Sequence, residues 1–401
     1  MDAVEVLTNM DRIKPYFQPI FSADEHLVIG YELLGRFQEE DEIRSLGPFF
    51  SDGSIPEEYR LEVDNYLLRL ALGKFNEQQD DPFMLFINRD PNLLMLDHGE
   101  EFLRILQEYV PQEQLNRIVI EISEAAYKGE LDPLYHMLTY FKTYGIKLAI
   151  DRLGENSHMD RIAQLSPHIL KINLKTLQNS GDSSRDILYS LGMLARKMGA
   201  ILLYEYIETN YGMHYAWKNG GRYYQGHYLL PPEGQFVPRN LLRDQFKKEF
   251  HQFILLEKEK LEAIYDLTAK FHTHLQELLA RHRKLPFGTS LLKILGTELQ
   301  FMCFRLYICD EEGFQKSPNL FYSGGEWRIQ EEYVDKNWSW RPYFLENIIK
   351  MRHEKKGFLS DSYSDIETGE TIRTFSFPLN DQKYLFLDLS YSYLYENDVL
   401  L

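Results

Sequence analysis

The chain has 401 residues, enough to bury a large core and more than most single domains contain, so we expect two domains. Its formal net charge of −17 argues against a duplex nucleic-acid partner, because phosphate binding requires a basic surface. The first residues contain no apolar signal-peptide core, and no segment approaches the roughly 20 apolar residues that cross a bilayer. We therefore predict a cytoplasmic protein without a membrane segment.

Short apolar runs that carry polar residues near their ends recur through the first two-thirds of the chain. They occupy residues 28–37, 83–88, 117–124, 147–151, 168–173 and 200–208. Runs of this length and β-branched content are typical of buried parallel strands. Stretches with apolar residues at helical spacing lie between them, at residues 61–75, 99–110, 131–145 and 185–199. The alternation predicts an α/β fold in which parallel βα units close into a barrel.

In such a barrel, polar residues at the strand ends would meet at one rim. The residues concerned are Glu32, Asn88, Glu121, Asp151 and Glu205. Oxygen ligands select hard cations such as Mg²⁺, Mn²⁺ or Ca²⁺. Several carboxylates around a divalent ion, beside a lysine such as Lys171, form an arrangement that can hydrolyse phosphodiesters. Any one of these acids is most simply explained as a polar residue at a solvated strand end. The occurrence of all of them in this order along the chain favours a metal site.

The segment from about residue 238 to 285 is predicted to form one long helix that ends before Pro286. A mostly apolar stripe recurs along it at alternating spacings of three and four residues, at Leu261, Ile264, Thr268, Phe271, Leu275 and Leu278. Two interpretations fit this pattern: a seam with another helix, or one helix packed on its own barrel.

After Pro286 the sequence predicts a separate α+β domain. A helix over residues 289–300 leads into strands over 301–313, 371–379 and 383–395, without βα alternation. Cys303 and Cys309 lie in the first of these strands. Even spacing would put them on one face about 20 Å apart, too far for a disulfide with each other or for a shared zinc ion. We expect two reduced, structural cysteines.

The first 235 residues or so resemble the EAL-domain family. The motifs that carry the resemblance are Tyr31-Glu-Leu-Leu-Gly-Arg-Phe37 with Leu33 in place of the usual alanine, Asn88 at a strand end, Glu121-Ile-Ser-Glu124, Asp151-Arg-Leu-Gly154, Leu170-Lys-Ile-Asn173, Glu205-Tyr-Ile-Glu-Thr209 and Gln225-Gly226. The resemblance implies a modified (β/α)8 TIM-type barrel. It also implies that this barrel binds cyclic di-GMP and, in active members, cleaves it to linear pGpG.

The resemblance also assigns roles to individual residues. One Mg²⁺ or Mn²⁺ ion would be held by Glu32, Asn88, Glu121 and Asp151, and Ca²⁺ would occupy that site without supporting hydrolysis. Catalytic roles fall to Lys171, beside the attacking water, and to Glu205, as a base or second-metal ligand. Ligand contacts are implied for Leu34, for Arg36 at a phosphate and for Gln225 near a guanine, and Glu124 would organise the loop after Asp151.

Three departures from the family pattern bear on activity. Arg152 stands where active relatives carry a second aspartate that helps hold a second metal. A unit charge at 4 Å is worth roughly 4 kcal/mol at an effective dielectric of 20, so Arg152 would oppose a second dication. The following loop reads Glu155-Asn-Ser-His158 instead of Thr-Gly-Tyr-Ser, and Tyr206 replaces a glycine.

We therefore expect cyclic di-GMP binding with weak or absent hydrolysis. Two alternatives stay open. One is an active phosphodiesterase. The other is an interaction protein that uses the barrel only as a surface.

Residues 337–344 resemble the Arg-Pro-aromatic motif of PAS-like and Cache-like sensor domains. A small-molecule pocket would be lined by Trp340, Arg341, Tyr343, Tyr363 and Asp388. The other interpretation is an aromatic core with a structural salt bridge. We predict a barrel over residues 1–237, a helical linker over 238–285 and a sensor domain over 286–401. A homodimer that transmits a signal through the helix is expected by analogy.

Overall fold

A computed structural model describes residues 3–39, 42–78, 82–153, 157–178, 183–341, 344–397 and 400. The chain divides into two compact units, Met1–Gln252 and Phe253–Leu401. Within the described ranges, every helix is too short or too polar to cross a membrane. The sequence-based domain boundaries stay a prediction, and the two units divide at a point inside the long helix.

The first unit alternates strands and helices. Its strands are β1 Ile13–Ser22, β2 Val28–Gln38, β3 Ile43–Ser45, β4 Met84–Asn88, β5 Ile118–Ile122, β6 Lys147–Leu153, β7 Ile169–Asn173, β8 Ile201–Glu205 and β9 Tyr223–Tyr224. Its helices are α1 Ala3–Thr8, α2 Gly47–Ser51, α3 Glu57–Asn76, α4 Pro91–Leu94, α5 Glu100–Tyr109, α6 Leu131–Thr143, α7 Met159–Leu165, α8 Leu174–Gln178, α9 Ser183–Met198 and α10 Asn210–Lys218. The four helices predicted from apolar spacing are thus confirmed.

In the described part of this unit, eight strands close a barrel in the order β1-β9-β8-β7-β6-β5-β4-β2, and β2 pairs back to β1. From β2 through β4 to β9, neighbouring strands run parallel. β1 runs antiparallel to both of its neighbours, which is the modification of the regular barrel. The predicted α/β barrel is confirmed, whereas β1 and β9 were missed.

One buried apolar residue from each barrel strand forms a single layer. The layer contains Ile20, Ile29, Phe86, Val119, Ala149, Ile169, Leu203 and Tyr223. Side chains of a strand face the same side every second residue, so the residue two positions along a parallel strand faces the same interior. Two positions after the layer residues of β4 to β8 stand Asn88, Glu121, Asp151, Lys171 and Glu205. Strand alternation therefore directs these polar side chains into one site above an apolar floor.

The second unit is built on an antiparallel sheet. Its elements after α11, Arg243–Arg281, are α12 Thr289–Leu299, β10 Cys303–Asp310, β11 Asn319–Ser323, β12 Glu326–Gln330, α13 Phe344–Glu354, β13 Phe358–Leu359, β14 Tyr363–Ser364, β15 Thr371–Pro378, β16 Lys383–Leu389 and α14 Tyr391–Glu396. The sheet runs β12-β11-β10-β16-β15-β13, with β14 paired to β15. This confirms the separate α+β domain. The strand predicted over 383–395 was wrong beyond Leu389, because the Ser390 hydroxyl accepts from Tyr393 N and caps α14.

The C-terminal half of α11 packs into the core of this second unit. Phe271, Leu275 and Leu278 are buried with leucines of α12 and residues of the sheet. Leu261, in the N-terminal part of the same apolar stripe, is 64% exposed. Neither interpretation of the stripe anticipated that it covers the C-terminal domain.

Cys303 and Cys309 are both buried and unbridged. The pairing of β10 with β16 shifts register between Cys303 and Arg305. Such a bulge reverses the side-chain alternation. Cys303 therefore faces the core that contains α12, whereas Cys309 packs on the other face with α13. The prediction that both lie on one face was wrong, and burial raises the pKa of both thiols, as expected for structural cysteines.

Candidate functional site

The ammonium of Lys171 lies at the centre of the polar site. Its Nζ is 3.0 Å from Glu32 Oε2 and 2.9 Å from Glu121, and 3.7 Å from both Asp151 Oδ1 and Glu205 Oε2. The lysine side chain is fully buried. The structure thus brings four of the predicted acids together around one ammonium.

Two amides hold Glu32 from either side. Asn88 Nδ2 donates to Glu32 Oε1 at 2.6 Å, and Gln225 Nε2 donates to Glu32 Oε2 at 2.7 Å. Gln225 Nε2 also donates to Gln18 Oε1 at 3.1 Å. Gln225 is buried, so in this structure it positions Glu32. Its predicted contact with a guanine stays a prediction.

The charges of the cluster perturb one another strongly. Burial and the neighbouring Glu32 raise the pKa of Glu121 well above its usual value, and burial with Asp151 raises the pKa of Glu205 to about 8. Burial disfavours a charged Lys171, yet Glu121 and Glu32 raise the pKa of its ammonium. Burial would also raise the pKa of Glu32, but Lys171 and Gln225 hold it below its usual value. The cluster carries more negative charge than one ammonium can balance.

A divalent ion fits this chemistry. The buried oxygen Asp151 Oδ1 accepts no hydrogen bond from the described residues and lies 3.7 Å from Lys171 Nζ, whereas Glu121 Oε1 is ion-paired with that ammonium at 2.9 Å. Buried carboxylate oxygens such as these are ligands that Mg²⁺, Mn²⁺ and Ca²⁺ prefer. In the described part of the chain, no three Asp, Glu, His or Cys side chains already stand in metal-binding geometry. The ammonium of Lys171 lies among the carboxylates, so metal binding requires these side chains to rearrange.

Glu124 contacts the segment that follows β6. Its Oε1 accepts from the backbone N–H of His158 at 2.9 Å, and its Oε2 lies 3.5 Å from His158 Nδ1. Gly154, Glu155 and Asn156 lie outside the described residues. These contacts are consistent with the predicted loop-organising role of Glu124.

We expect Glu124→Ala to free the His158 amide. A hydrogen bond to a charged acceptor is worth about 1.5–3 kcal/mol, so amide hydrogen exchange at His158 should accelerate about tenfold or more. Exchange measured by NMR or mass spectrometry tests this. Glu130→Ala, at an exposed position before α6, is the control and should leave that exchange unchanged. Equal protection in wild type and Glu124→Ala would refute the role.

Leu34 and Arg36 follow Glu32 along β2 at alternate positions and are both partly buried. Arg36 Nη1 donates to the Gly35 carbonyl at 3.0 Å, and its guanidinium lies 5.6 Å from the centre of the Tyr16 ring. Burial lowers the pKa of Arg36, and no carboxylate among the described residues forms an ion pair with it. An arginine of this kind retains donors for an anionic ligand.

Arg152 and Tyr206 each follow a buried acid and share an unusual backbone. Both have a φ of 59°, the left-handed region that non-glycine residues rarely adopt. Arg152 Nε lies 3.5 Å from Asp151 Oδ2, and the Arg152 side chain is 74% exposed. Tyr206 is 49% exposed, and burial with the nearby charge of Glu205 raises its pKa. The two residues lie at the mouth of the acid cluster.

Comparison with known families and structures identifies the barrel. A model of the EAL domain matches residues 2–232, and a model of the EAL-domain associated signalling protein domain matches residues 236–401. The chain belongs to the EAL-domain family. YkuI of Bacillus subtilis, an EAL-domain-containing protein, is 53% identical over the full length of both chains.

Solved structures agree with this assignment. The crystal structure of YkuI, in complex with substrate c-di-GMP and calcium, covers all of both chains with a TM-score of 0.96. A standalone EAL protein of Vibrio cholerae O395 in its c-di-GMP-bound form covers 58% of this chain and 97% of its own at 20% identity and a TM-score of 0.50, and it supports the fold alone. The EAL barrel and the domain that follows it are therefore both shared with YkuI.

The described members of the proposed sensor pocket in the EAL-associated domain differ widely in exposure. Asp388 is fully buried, whereas Trp340 is 62% exposed. Asp388 accepts from Arg305 Nη1 at 3.0 Å and from Thr374 Oγ1 at 2.6 Å, so the structural salt bridge is the better interpretation. Tyr363 Oη lies 2.6 Å from Thr374 Oγ1. The sequence analysis placed Asp388 in a ligand pocket because it did not recognise the ion pair of Asp388 with the buried Arg305.

The remaining sensor residues are placed as follows. Arg341 lies over the rings of Trp338 and Trp340, at 4.5 and 5.9 Å from their centres. Tyr343 lies outside the described residues.

Gln18 of the EAL barrel was missed by the sequence analysis. Its amide oxygen accepts from Gln225, and its own Nε2 donates to the Leu230 carbonyl at 3.4 Å. Alternation could have revealed it, because Gln18 stands two positions from the layer residue Ile20 on the same strand. Without β1 in the predicted barrel, that signal was not used.

Proposed function

We propose that the protein is a cyclic di-GMP receptor built on a degenerate EAL phosphodiesterase site, with weak or absent hydrolysis. The intact acid cluster supports ligand and metal binding. The observation that carries the proposal of weak hydrolysis is Arg152, whose guanidinium lies 3.5 Å from Asp151 Oδ2 where active relatives have a metal-binding aspartate. The YkuI structure with c-di-GMP and calcium supports the choice of ligand.

Each residue of the site has a role in this proposal. A dication would be held by Glu32, Asn88, Glu121 and Asp151, and would supply charge stabilisation and a polarised water when bound. Mg²⁺ or Mn²⁺ is the proposed cofactor, with Ca²⁺ supporting binding only. Lys171 holds a proton between the carboxylates, and Gln225 orients Glu32. Arg36 and Leu34 are proposed to contact the ligand.

Isothermal titration calorimetry with cyclic di-GMP in Mg²⁺ or Ca²⁺ tests the proposal. We expect saturable binding by the wild type, with negligible pGpG by chromatography after incubation in Mg²⁺. Glu32→Ala removes a carboxylate that two amides and Lys171 hold in place, so binding should weaken at least about tenfold. Glu113→Ala, at an exposed site before β5, should bind as the wild type does. An absence of wild-type binding would refute the proposal.

One observation favours the alternative of an active phosphodiesterase. Lys171 and Glu205, the two residues to which the family resemblance gives catalytic roles, lie in the cluster with Lys171 Nζ 3.7 Å from Glu205 Oε2. Steady production of pGpG by the wild type in Mn²⁺, lost in Glu32→Ala, would establish that alternative.

We also propose a homodimer. Several apolar side chains of α11 are exposed, namely Ile254, Leu255, Leu256, Leu261 and Tyr265, which supports association. Sedimentation velocity should give the mass of two chains, and a monomer at micromolar concentration would contradict it. A small-molecule ligand of the EAL-associated domain and a cytoplasmic location also stay predictions.

A further inference from the structure

Arg152 stands at the mouth of the acid cluster with most of its donors available. A guanidinium has five N–H donors in a planar fork. In the described part of the chain, the ion pair of Arg152 with Asp151 is the one it makes, through Nε at 3.5 Å. A side chain that is 74% exposed leaves the other donors accessible to a ligand.

The backbone turns this side chain toward the mouth. In a regular strand the residue after Asp151 would face away from the barrel interior. Here β6 shifts register against β7 between Ile150 and Leu153, and Arg152 lies in that bulge with a φ of 59°. A bulge re-aims a side chain, and the strain of a left-handed non-glycine residue persists only where the surrounding structure maintains it. The fold therefore keeps Arg152 beside the acids at an energetic cost.

The formal charges of the site balance with one dication. With every group in its ionised form, four carboxylates, the Lys171 ammonium and the Arg152 guanidinium sum to −2, which a single divalent ion cancels. With aspartate at position 152, five carboxylates and one ammonium sum to −4, which requires two divalent ions. Arg152 thus supplies positive charge where a second ion would otherwise be needed.

We propose that Arg152 is a phosphate-binding residue that takes over the charge-neutralising role of the second ion. This inference rests on the proposed function, because the ligand is taken to be cyclic di-GMP. Each phosphodiester group of that ligand carries one negative charge, and a guanidinium pairs with two phosphate oxygens through parallel hydrogen bonds. Arg152 is then a determinant of affinity, in addition to an obstacle to a second metal.

Calorimetric titration of Arg152 variants with cyclic di-GMP in Ca²⁺ tests the inference. Arg152→Gln removes the charge but keeps polarity, and its dissociation constant should rise at least about tenfold, because a charge-assisted hydrogen bond is lost. Arg152→Lys keeps the charge without the fork and should be intermediate. Counting bound Ca²⁺ per chain in the complex should give one ion for the wild type.

Arg104→Gln is the matched control. It removes an arginine from the exposed face of α5, where Arg104 pairs with Glu101, and affinity should stay within about twofold of the wild type because exposed charges are screened by salt. Wild-type binding with an unchanged dissociation constant in Arg152→Gln would overturn this inference while leaving the receptor proposal intact. Two Ca²⁺ ions per wild-type chain would overturn it as well. If the wild type does not bind, the proposed function itself fails.

Discussion

Arg152→Asp is expected to raise pGpG formation in Mn²⁺ by about tenfold or more over the wild type. The change removes a positive charge and adds a negative one beside Asp151. A unit charge at about 4 Å contributes roughly 4 kcal/mol at an effective dielectric of 20, and each 1.4 kcal/mol is a tenfold change in occupancy or rate. The other acids and Lys171 are already in place. The new carboxylate would complete the ligand set that Arg152 interrupts.

Chromatographic assay of pGpG at several Mn²⁺ concentrations is the measurement. Arg152→Asn is the informative comparison, since it removes the guanidinium without adding a carboxylate and should restore less activity. Glu32→Ala combined with Arg152→Asp should abolish the gain. If Arg152→Asp binds cyclic di-GMP and Mn²⁺ but forms no more pGpG than the wild type, Arg152 does not limit hydrolysis. The altered loop after β6 and Tyr206 would then be the remaining differences from active relatives.

The strand ends of the barrel could be predicted because alternation and burial act locally. Asn88 and Asp151 each close an apolar run and Glu121 lies within one, and each faces the interior two positions beyond a buried residue. The convergence of these side chains follows from parallel strands in register. Their hydrogen-bond partners do not follow from sequence, because Gln225 and Glu32 are 193 positions apart.

β1 was missed because two prolines interrupt it. Pro15 and Pro19 argue against a strand in the interior of a sheet, since proline donates no ladder hydrogen bond. β1 pairs with β9 only at Phe21 and Ser22 and bridges to Glu233 at Phe17, so neither proline lies opposite a paired residue on this second side of β1. The prolines are tolerated there, as at a sheet edge, because no neighbouring strand requires a hydrogen bond from the proline nitrogen.

The buried ion pair between Arg305 and Asp388 in the C-terminal domain shows another limit of prediction from sequence. Arg305 and Asp388 each stand inside an otherwise apolar strand, and the pairing of β10 with β16 places them opposite one another. A lone arginine and a lone aspartate in two buried strands could have indicated a buried pair. The bulge at Cys303 sets the register in this part of the sheet, and sequence gives no sign of it.

Arg305→Met is expected to destabilise the C-terminal domain by about 3–5 kcal/mol, the usual cost of removing one partner from a buried ion pair. Arg305 donates to Asp388 Oδ2 at 3.0 Å, to both oxygens of Asp365 at 3.0 and 2.9 Å, and to Glu367 Oε2 at 3.0 Å. Burial raises the pKa of Asp388 even with the arginine present. Without Arg305, two buried carboxylates would have to protonate or take up water.

Urea unfolding of the full chain, followed by hydrogen exchange at β10, β15 and β16, measures this effect in the domain concerned. Arg328→Met, at an exposed position on β12, is the control and should change stability by less than about 0.5 kcal/mol. Adding Asp388→Asn to Arg305→Met should recover part of the loss, because it removes one unpaired buried charge. An unfolding midpoint of Arg305→Met equal to the wild type would mean that water satisfies both aspartates. The carboxylates would then be accessible to a ligand, and a sensor pocket at Asp388 would regain support.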